Sequence, residues 1–218
     1  MKKYGFIMIM CFFVFVSFLS KVNAFINGYE LLGKVIFLDA GHGGVDAGSS
    51  YNDILEKDIN LQIVKKLKRE LISRGATVYL TRDSDKDLSV TKVGRKKNDL
   101  TNRAILINKS KADMYLSIHQ NFIIGDKWRG IQIFYNDRVK ENEVIAKTLT
   151  NTLKEHSKLV RDEKKNNEYY MYKQINVPGV LIETGFLSNP DDRYLLQSEE
   201  YQEKLVKYIA DGIVCYFS

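Results

Sequence analysis

Val35-Ile36-Phe37-Leu38-Asp39-Ala40-Gly41-His42-Gly43-Gly44 decides the fold of this chain. Four consecutive apolar residues running into a glycine-rich turn read as a strand buried on both faces. Lys57 to Arg74 then reads as a helix. Ile59, Ile63, Val64, Leu67 and Leu71 share one face, Lys65, Lys68 and Arg69 lie opposite, and Gly75 stops it. Thr77 to Thr81 is the next strand. This alternation of short apolar runs with amphipathic stretches is that of an α/β domain.

The pattern continues outward. A polar excursion carries Lys92, Arg95, Lys96 and Lys97, and Leu100 to Asn108 is a shorter helix. Met114 to Ile118 is a strand that delivers His119, and Gly130 to Tyr135 is another. Glu141 to Lys158 is helical, with Ile145, Leu149 and Leu153 spaced four apart. Arg161 to Asn176 is charged and polar and reads as mostly loop and mobile. Val180-Leu181-Ile182 is a buried strand ending at Glu183, Phe186 to Pro190 turns into a short helix near Arg193, and the closing helix runs from Glu200 to Phe217. The expected fold is a single α/β domain over residues 34–218, an open, mostly parallel twisted sheet flanked by helices.

Composition narrows the setting. Of 218 residues, the first 24 look like an export signal: Lys2 and Lys3, an apolar run from Gly5 to Leu19, then Val22-Asn23-Ala24. Fifteen apolar residues fall short of the roughly 20 that span a bilayer. An uncleaved anchor is the alternative, and residues 25–33 read as a linker. The leader takes three lysines and no acids with it, so the net charge of +6 becomes 30 basic against 27 acidic residues, or +3. Cys215 is the sole cysteine beyond the leader, which excludes an intrachain disulfide and a cysteine-held metal in the mature chain. Export without disulfides fits a bacterial envelope protein. The basic stretch lacks interleaved aromatics, so no nucleic acid is expected as a partner.

In open α/β sheets ligands bind beyond the carboxyl ends of the strands. His42, His119 and Glu183 each follow a strand, and Glu56 opens the first helix. Two imidazoles and a carboxylate can hold a catalytic zinc with one position open, and a second carboxylate would supply a base. Each residue also has a bland interpretation. Glycine-flanked histidines occur in ordinary turns, and a carboxylate in a helix's first turn meets a favourable dipole. Glu183 is the most pointed of the four, because a carboxylate directly after three apolar strand residues is costly unless paired or functional. The third histidine, His156, lies among Lys154, Glu155 and Ser157 and reads as surface.

The segments Leu38-Asp39-Ala40-Gly41-His42-Gly43-Gly44, Glu56-Lys57-Asp58-Ile59-Asn60-Leu61, Thr81-Arg82-Asp83-Ser84-Asp85, Ser117-Ile118-His119-Gln120-Asn121 and Leu181-Ile182-Glu183-Thr184-Gly185-Phe186-Leu187-Ser188-Asn189-Pro190 together resemble the zinc-dependent N-acetylmuramoyl-L-alanine amidases of the Amidase_3 type. The resemblance runs from about Lys34 to the C-terminus and implies a phosphorylase/hydrolase-like fold. It implies that His42, Glu56 and His119 bind one Zn²⁺ and that Glu183 is the catalytic carboxylate. Two departures are visible: the family usually has Pro where Ala40 stands and a small residue where Gln120 stands. Gln120 stands next to the implied ligand His119, where it bears on the shape and hydrogen bonding of the substrate cleft.

Gly94-Arg95-Lys96-Lys97-Asn98-Asp99-Leu100-Thr101-Asn102-Arg103 is similar to the sporulation amidases of this family. That similarity implies action on spore cortex peptidoglycan, with a deacetylase, to make muramic-δ-lactam for germination. It also implies a place in the cell envelope or spore intermembrane space of a Gram-positive spore former. Asn121 and Ser117 are candidates for orienting ligands or substrate, and Arg82 and Arg103 for meeting stem-peptide carboxylates, with structural ion pairing as the alternative. Trp128 packs against a sugar or covers the core. Two rival functions stand: a metal-free glycosidase using Glu56 and Glu183 as paired carboxylates, and a non-catalytic or partner-activated wall-binding protein. An activating protein or lipoprotein would act, on composition, through Arg161–Asn176.

Overall fold

The computed structural model describes residues 28–218, so the segment read as an export signal lies outside the described residues. Eight strands and five helices follow: β1 (Val35–Ala40), β2 (Ser50–Tyr51), β3 (Ile54–Leu55), α1 (Glu56–Ser73), β4 (Thr77–Leu80), α2 (Arg95–Lys109), β5 (Met114–Asn121), β6 (Gln132–Tyr135), α3 (Glu141–His156), β7 (Lys164–Lys165), β8 (Gly179–Phe186), α4 (Pro190–Gln197) and α5 (Glu199–Phe217). Six strands form one sheet in the order β4-β1-β5-β8-β6-β7, and β2 and β3 pair as a small hairpin. β4, β1, β5 and β8 are mutually parallel, while β6 runs antiparallel to β8 and carries β7 at the edge. The chain leaves β1 for β4 on one side and returns as β5 on the other. That switch opens a crevice at the carboxyl ends of β1 and β5.

Strand alternation sorts the central residues into two layers. Ile36, Leu38, Ala40, Met114, Leu116, Ile118, Val180 and Ile182 join the apolar faces of α1, α3 and α5 in the larger core. Phe37, Tyr115 and Leu181 point the other way, into a smaller core with Ala104 and Ile107 of α2. Continuing along that second face, the same alternation brings Asp39, Ser117, His119 and Glu183 toward the crevice. The sheet therefore turns polar along one face as it approaches its carboxyl edge.

Three expectations need correction. Arg161–Asn176, read as mostly loop and mobile, is mostly loop as expected, with the two-residue β7 and a 3-10 turn at Tyr172–Gln174, but it is anchored to the fold. Met171, Tyr172 and Ile175 from this stretch are buried in the smaller core, so its charged composition masked an apolar anchor. The helix expected from Leu100 begins at Arg95, behind Gly94 in a left-handed conformation (φ 66°). Its first turn is basic and carries no apolar period to signal it. Within the expected linker, Leu31 is fully buried in the larger core, and its amide donates to the Arg74 carbonyl at 2.9 Å.

Candidate metal centre

The turn after β1 places His42 in a left-handed conformation (φ 61°), uncommon for a residue with a side chain. Glycines make the approach feasible. A Cβ on Gly41 would lie 2.2 Å from His119 Cε1, and one on Gly48 would lie 2.6 Å from both Glu56 Oε2 and His42 Cδ2. The β2–β3 hairpin then delivers Glu56 as the first residue of α1, with its carboxylate facing inward.

Glu56 is the hub of the site. Its Oε1 lies 2.8 Å from His119 Nδ1 and 3.2 Å from His42 Nε2. Two backbone amides donate to it as well, Ser49 N to Oε2 at 2.7 Å and Gln120 N to Oε1 at 3.2 Å. Burial alone would raise its pKa, but the hydrogen bonds and charges of His119 and His42 outweigh that and hold it far below the usual carboxylate range. A carboxylate so committed stays ionised between the two imidazoles.

The two imidazoles meet edge to face, with centroids 5.0 Å apart and planes at 80°. One donor atom from each of His42, Glu56 and His119 falls within 4.8 Å of the other two. Bonds of roughly 2 Å to one ion are compatible with such a spread, and two imidazoles with one carboxylate is a catalytic zinc donor set. His42 Nδ1 lies 2.9 Å from Asp46 Oδ2. Donation to that carboxylate leaves the Nε2 lone pair facing Glu56 and His119.

Glu183 completes the cluster. It is the register partner of His119 across β5 and β8, and only 7% of it is exposed. Its Oε2 is buried without a hydrogen-bond partner among the described residues. Burial, and then the negative charge of Glu56, push its pKa well above the ordinary value. A cation beside it would act in the opposite direction. Both carboxylates open onto a cleft of about 340 Å³.

Residues 36–215 match the N-acetylmuramoyl-L-alanine amidase family Amidase_3. The chain belongs to that family. It is 38% identical, over 100% of its own length and 96% of the relative's, to the germination-specific N-acetylmuramoyl-L-alanine amidase of Bacillus subtilis. It is 36% identical to the probable cell wall amidase LytH of Staphylococcus aureus, covering 86% of this chain and 60% of the relative. Among solved structures, the CwlD amidase of Clostridioides difficile, determined in complex with the GerS lipoprotein, superposes with a TM-score of 0.78. That pair is 38% identical, over 84% of this chain and 98% of the other. The protein is thus a peptidoglycan amidase, an N-acetylmuramoyl-L-alanine amidase with a germination-specific homologue.

Beneath the amidase site, Arg82 and Arg103 take the structural alternative. Both are buried, at 2% and 1% exposure, out of reach of a stem peptide. Arg82 donates to the carbonyls of Ala40, Gly41 and Lys57 at 2.9, 2.9 and 2.7 Å. Arg103 donates to the carbonyls of Ala40 and His42 at 2.7 and 2.6 Å, and pairs with Asp39 and Asp99 at 2.8 Å each. Asp39 also accepts from Ser117 Oγ at 2.6 Å and Thr81 Oγ1 at 2.8 Å. Ser117 therefore braces the floor of the loop and does not meet substrate.

Gln120 projects to the opposite face of the sheet, where its Nε2 donates to Asn60 Oδ1 (2.8 Å) and Thr184 Oγ1 (3.1 Å). Its side chain supports α1, and the residue also forms part of the cleft wall. Asn121 does line the cleft. Trp128 is 40% exposed with the Arg161 guanidinium 4.7 Å from its ring centre, and it is not part of the cleft wall. His156 stacks on Tyr208 at 4.3 Å on the far side of the fold. The sequence reading missed two neighbours. Asp46 carried a usable signal, an acid four residues after a glycine-framed histidine. Tyr169 lay in the stretch dismissed as loop.

Proposed function

We propose that this amidase works with one Zn²⁺ held by His42, Glu56 and His119, and that Glu183 is its catalytic base and acid. The observation that carries this reading is the convergence of those three donor atoms beside the unpartnered, buried carboxylate of Glu183. The bond cut is the amide between the lactyl group of N-acetylmuramic acid and L-alanine. Zinc, when bound, supplies a Lewis acid that polarises a carbonyl and acidifies water. Glu183 takes the proton of the attacking water and hands it to the departing alanine amine. Its burial keeps the proton from bulk solvent between the two transfers. Asp46 fixes the His42 tautomer, and Asn121 orients substrate at the mouth of the cleft.

The biological setting we propose is maturation of spore cortex, with a deacetylase completing muramic-δ-lactam. This would place the protein beyond the cytoplasmic membrane, in the envelope or spore intermembrane space. Support comes from the germination-specific relative and from the basic motif at Gly94–Arg103. A lipoprotein partner is part of the proposal, prompted by the C. difficile amidase solved with one.

The deciding experiment is mass spectrometry of muropeptides incubated with purified protein, with chelator, with added zinc, and with cell extract. Intact stem peptides released only when metal is present support the reading. Release that persists under chelation rules out the metal, and no release under any condition favours a wall-binding protein.

A further inference from the structure

The stretch Tyr169-Tyr170-Met171-Tyr172 forms part of the wall of the cleft that holds Glu183. Its three tyrosine hydroxyls have different surroundings. Tyr172 is buried and its O–H donates to the Phe134 carbonyl at 3.4 Å. Tyr170 has its oxygen 3.2 Å from Thr101 Oγ1, and the Lys97 ammonium sits 5.6 Å from its ring centre. The Tyr169 hydroxyl alone of the three has no hydrogen-bond partner among the described residues.

Yet Tyr169 is firmly placed. Its ring stands edge-on to Tyr172 (5.3 Å, 88°) and to Phe134 (6.1 Å, 86°). Its carbonyl accepts from Tyr172 N at 3.1 Å. A phenol fixed at its ring and free at its tip needs little further ordering to bind a ligand. Burial, then the charges of Glu183 and Glu56, push its pKa up to about 12, so the group stays a neutral donor. A neutral O–H is matched by an amide carbonyl oxygen, an acceptor that a peptide substrate presents.

We propose that Tyr169 is a substrate-contacting residue whose O–H donates to a neutral amide carbonyl oxygen of the muramoyl peptide. This rests on the site proposed above and deepens it, because it assigns a recognition role to the wall beside the base. The structural alternative is that the ring merely lids the smaller core.

The test uses the full chain, zinc-loaded, and a purified disaccharide–tetrapeptide muropeptide. Tyr169→Phe keeps the ring and removes only the donor. Turnover is compared with the parent, and affinity is measured by calorimetry with Glu183→Gln in both proteins. We expect kcat/KM and affinity each to fall about tenfold, the size of one lost hydrogen bond, with zinc content and thermal midpoint unchanged. Values for both that stay within about twofold of the parent overturn the proposal. So does loss of zinc or of the fold, since either makes the hydroxyl structural. If the parent releases no alanine amine, the proposed chemistry at Glu183 fails, while the affinity comparison still decides Tyr169.

Discussion

His119 and Glu183 are register partners on the adjacent parallel strands β5 and β8. Cross-strand partners point to the same side of a sheet, so the pairing sets a carboxylate beside a proposed metal ligand without any loop to position it. Glu183→Gln preserves shape and hydrogen-bonding size but cannot carry a proton. We expect it to retain zinc at parental stoichiometry and to lose about 10²–10⁴-fold in turnover. Zinc analysis and muropeptide mass spectrometry on the same sample check this. Substantial residual hydrolysis would remove Glu183 from the role.

Asp46 is the prediction's counterpart outside the ligand set. Its carboxylate lies 2.9 Å from the outer nitrogen of His42 and also accepts from Gly48 N at 3.1 Å. Replacing it by Ala frees the imidazole to rotate and to adopt the other tautomer. Zinc affinity should fall about 10- to 100-fold, as for other partners of metal-binding histidines. A competition titration against a zinc chelator measures it; parental affinity would make Asp46 a loop residue only.

Asp39 and Arg103 form a buried pair at 2.8 Å, each 1% exposed, under the His42 loop. Removing one member leaves an unpaired buried charge, so Arg103→Met should cost about 3–5 kcal/mol in urea unfolding. The pair also sets an acid limit. Burial alone would raise the Asp39 pKa, but the Arg103 charge and the hydrogen bonds from Ser117 and Thr81 hold it below its ordinary 3.8. Its contribution is therefore full above pH 3.8 and is lost as pH falls through the folded-state value. Stability measured between pH 5 and lower values should drop less steeply in Asp39→Asn than in the parent. Parallel curves would show that other carboxylates carry the acid sensitivity.

The sequence was most legible where one physical signal acted alone. Val35 to Leu38 could only be a buried strand, and the apolar stripe from Ile59 to Leu71 marked α1 within one residue of its observed Glu56–Ser73. His42 and His119 stood out because glycine framing and a strand end are local features. Arg161–Asn176 is mostly loop as read, but its four basic and three acidic residues conceal Met171, Tyr172 and Ile175, whose burial depends on α2 arriving from elsewhere. Arg82 and Arg103 were ambiguous for a similar reason. Nothing local tells an arginine facing substrate from one whose acceptors are the carbonyls of a turn forty or sixty residues away. The supports of the loop emerge only when β1, β4 and α2 are brought together.

Gly41 offers a test of how tightly that loop is built. Its amide donates to the Ile118 carbonyl at 3.1 Å, and its own carbonyl accepts from Asn60 Nδ2 at 3.0 Å and Arg82 Nη2 at 2.9 Å. The backbone is thus held from three directions and cannot retreat. A Cβ there would sit 2.2 Å from His119 Cε1 and 2.4 Å from Nε2, so in Gly41→Ala the imidazole must yield. The strands beneath are untouched, and the thermal midpoint should move by only a few degrees, as for a change of about 1 kcal/mol in a domain of this size. Displacing one ligand by an ångström should nevertheless lower turnover about 100-fold. Calorimetry with zinc and the muropeptide assay separate the two effects. If Gly41→Ala binds zinc and turns over like the parent, His119 has slack at this position and the close approach of loop to ring is not what sets the site.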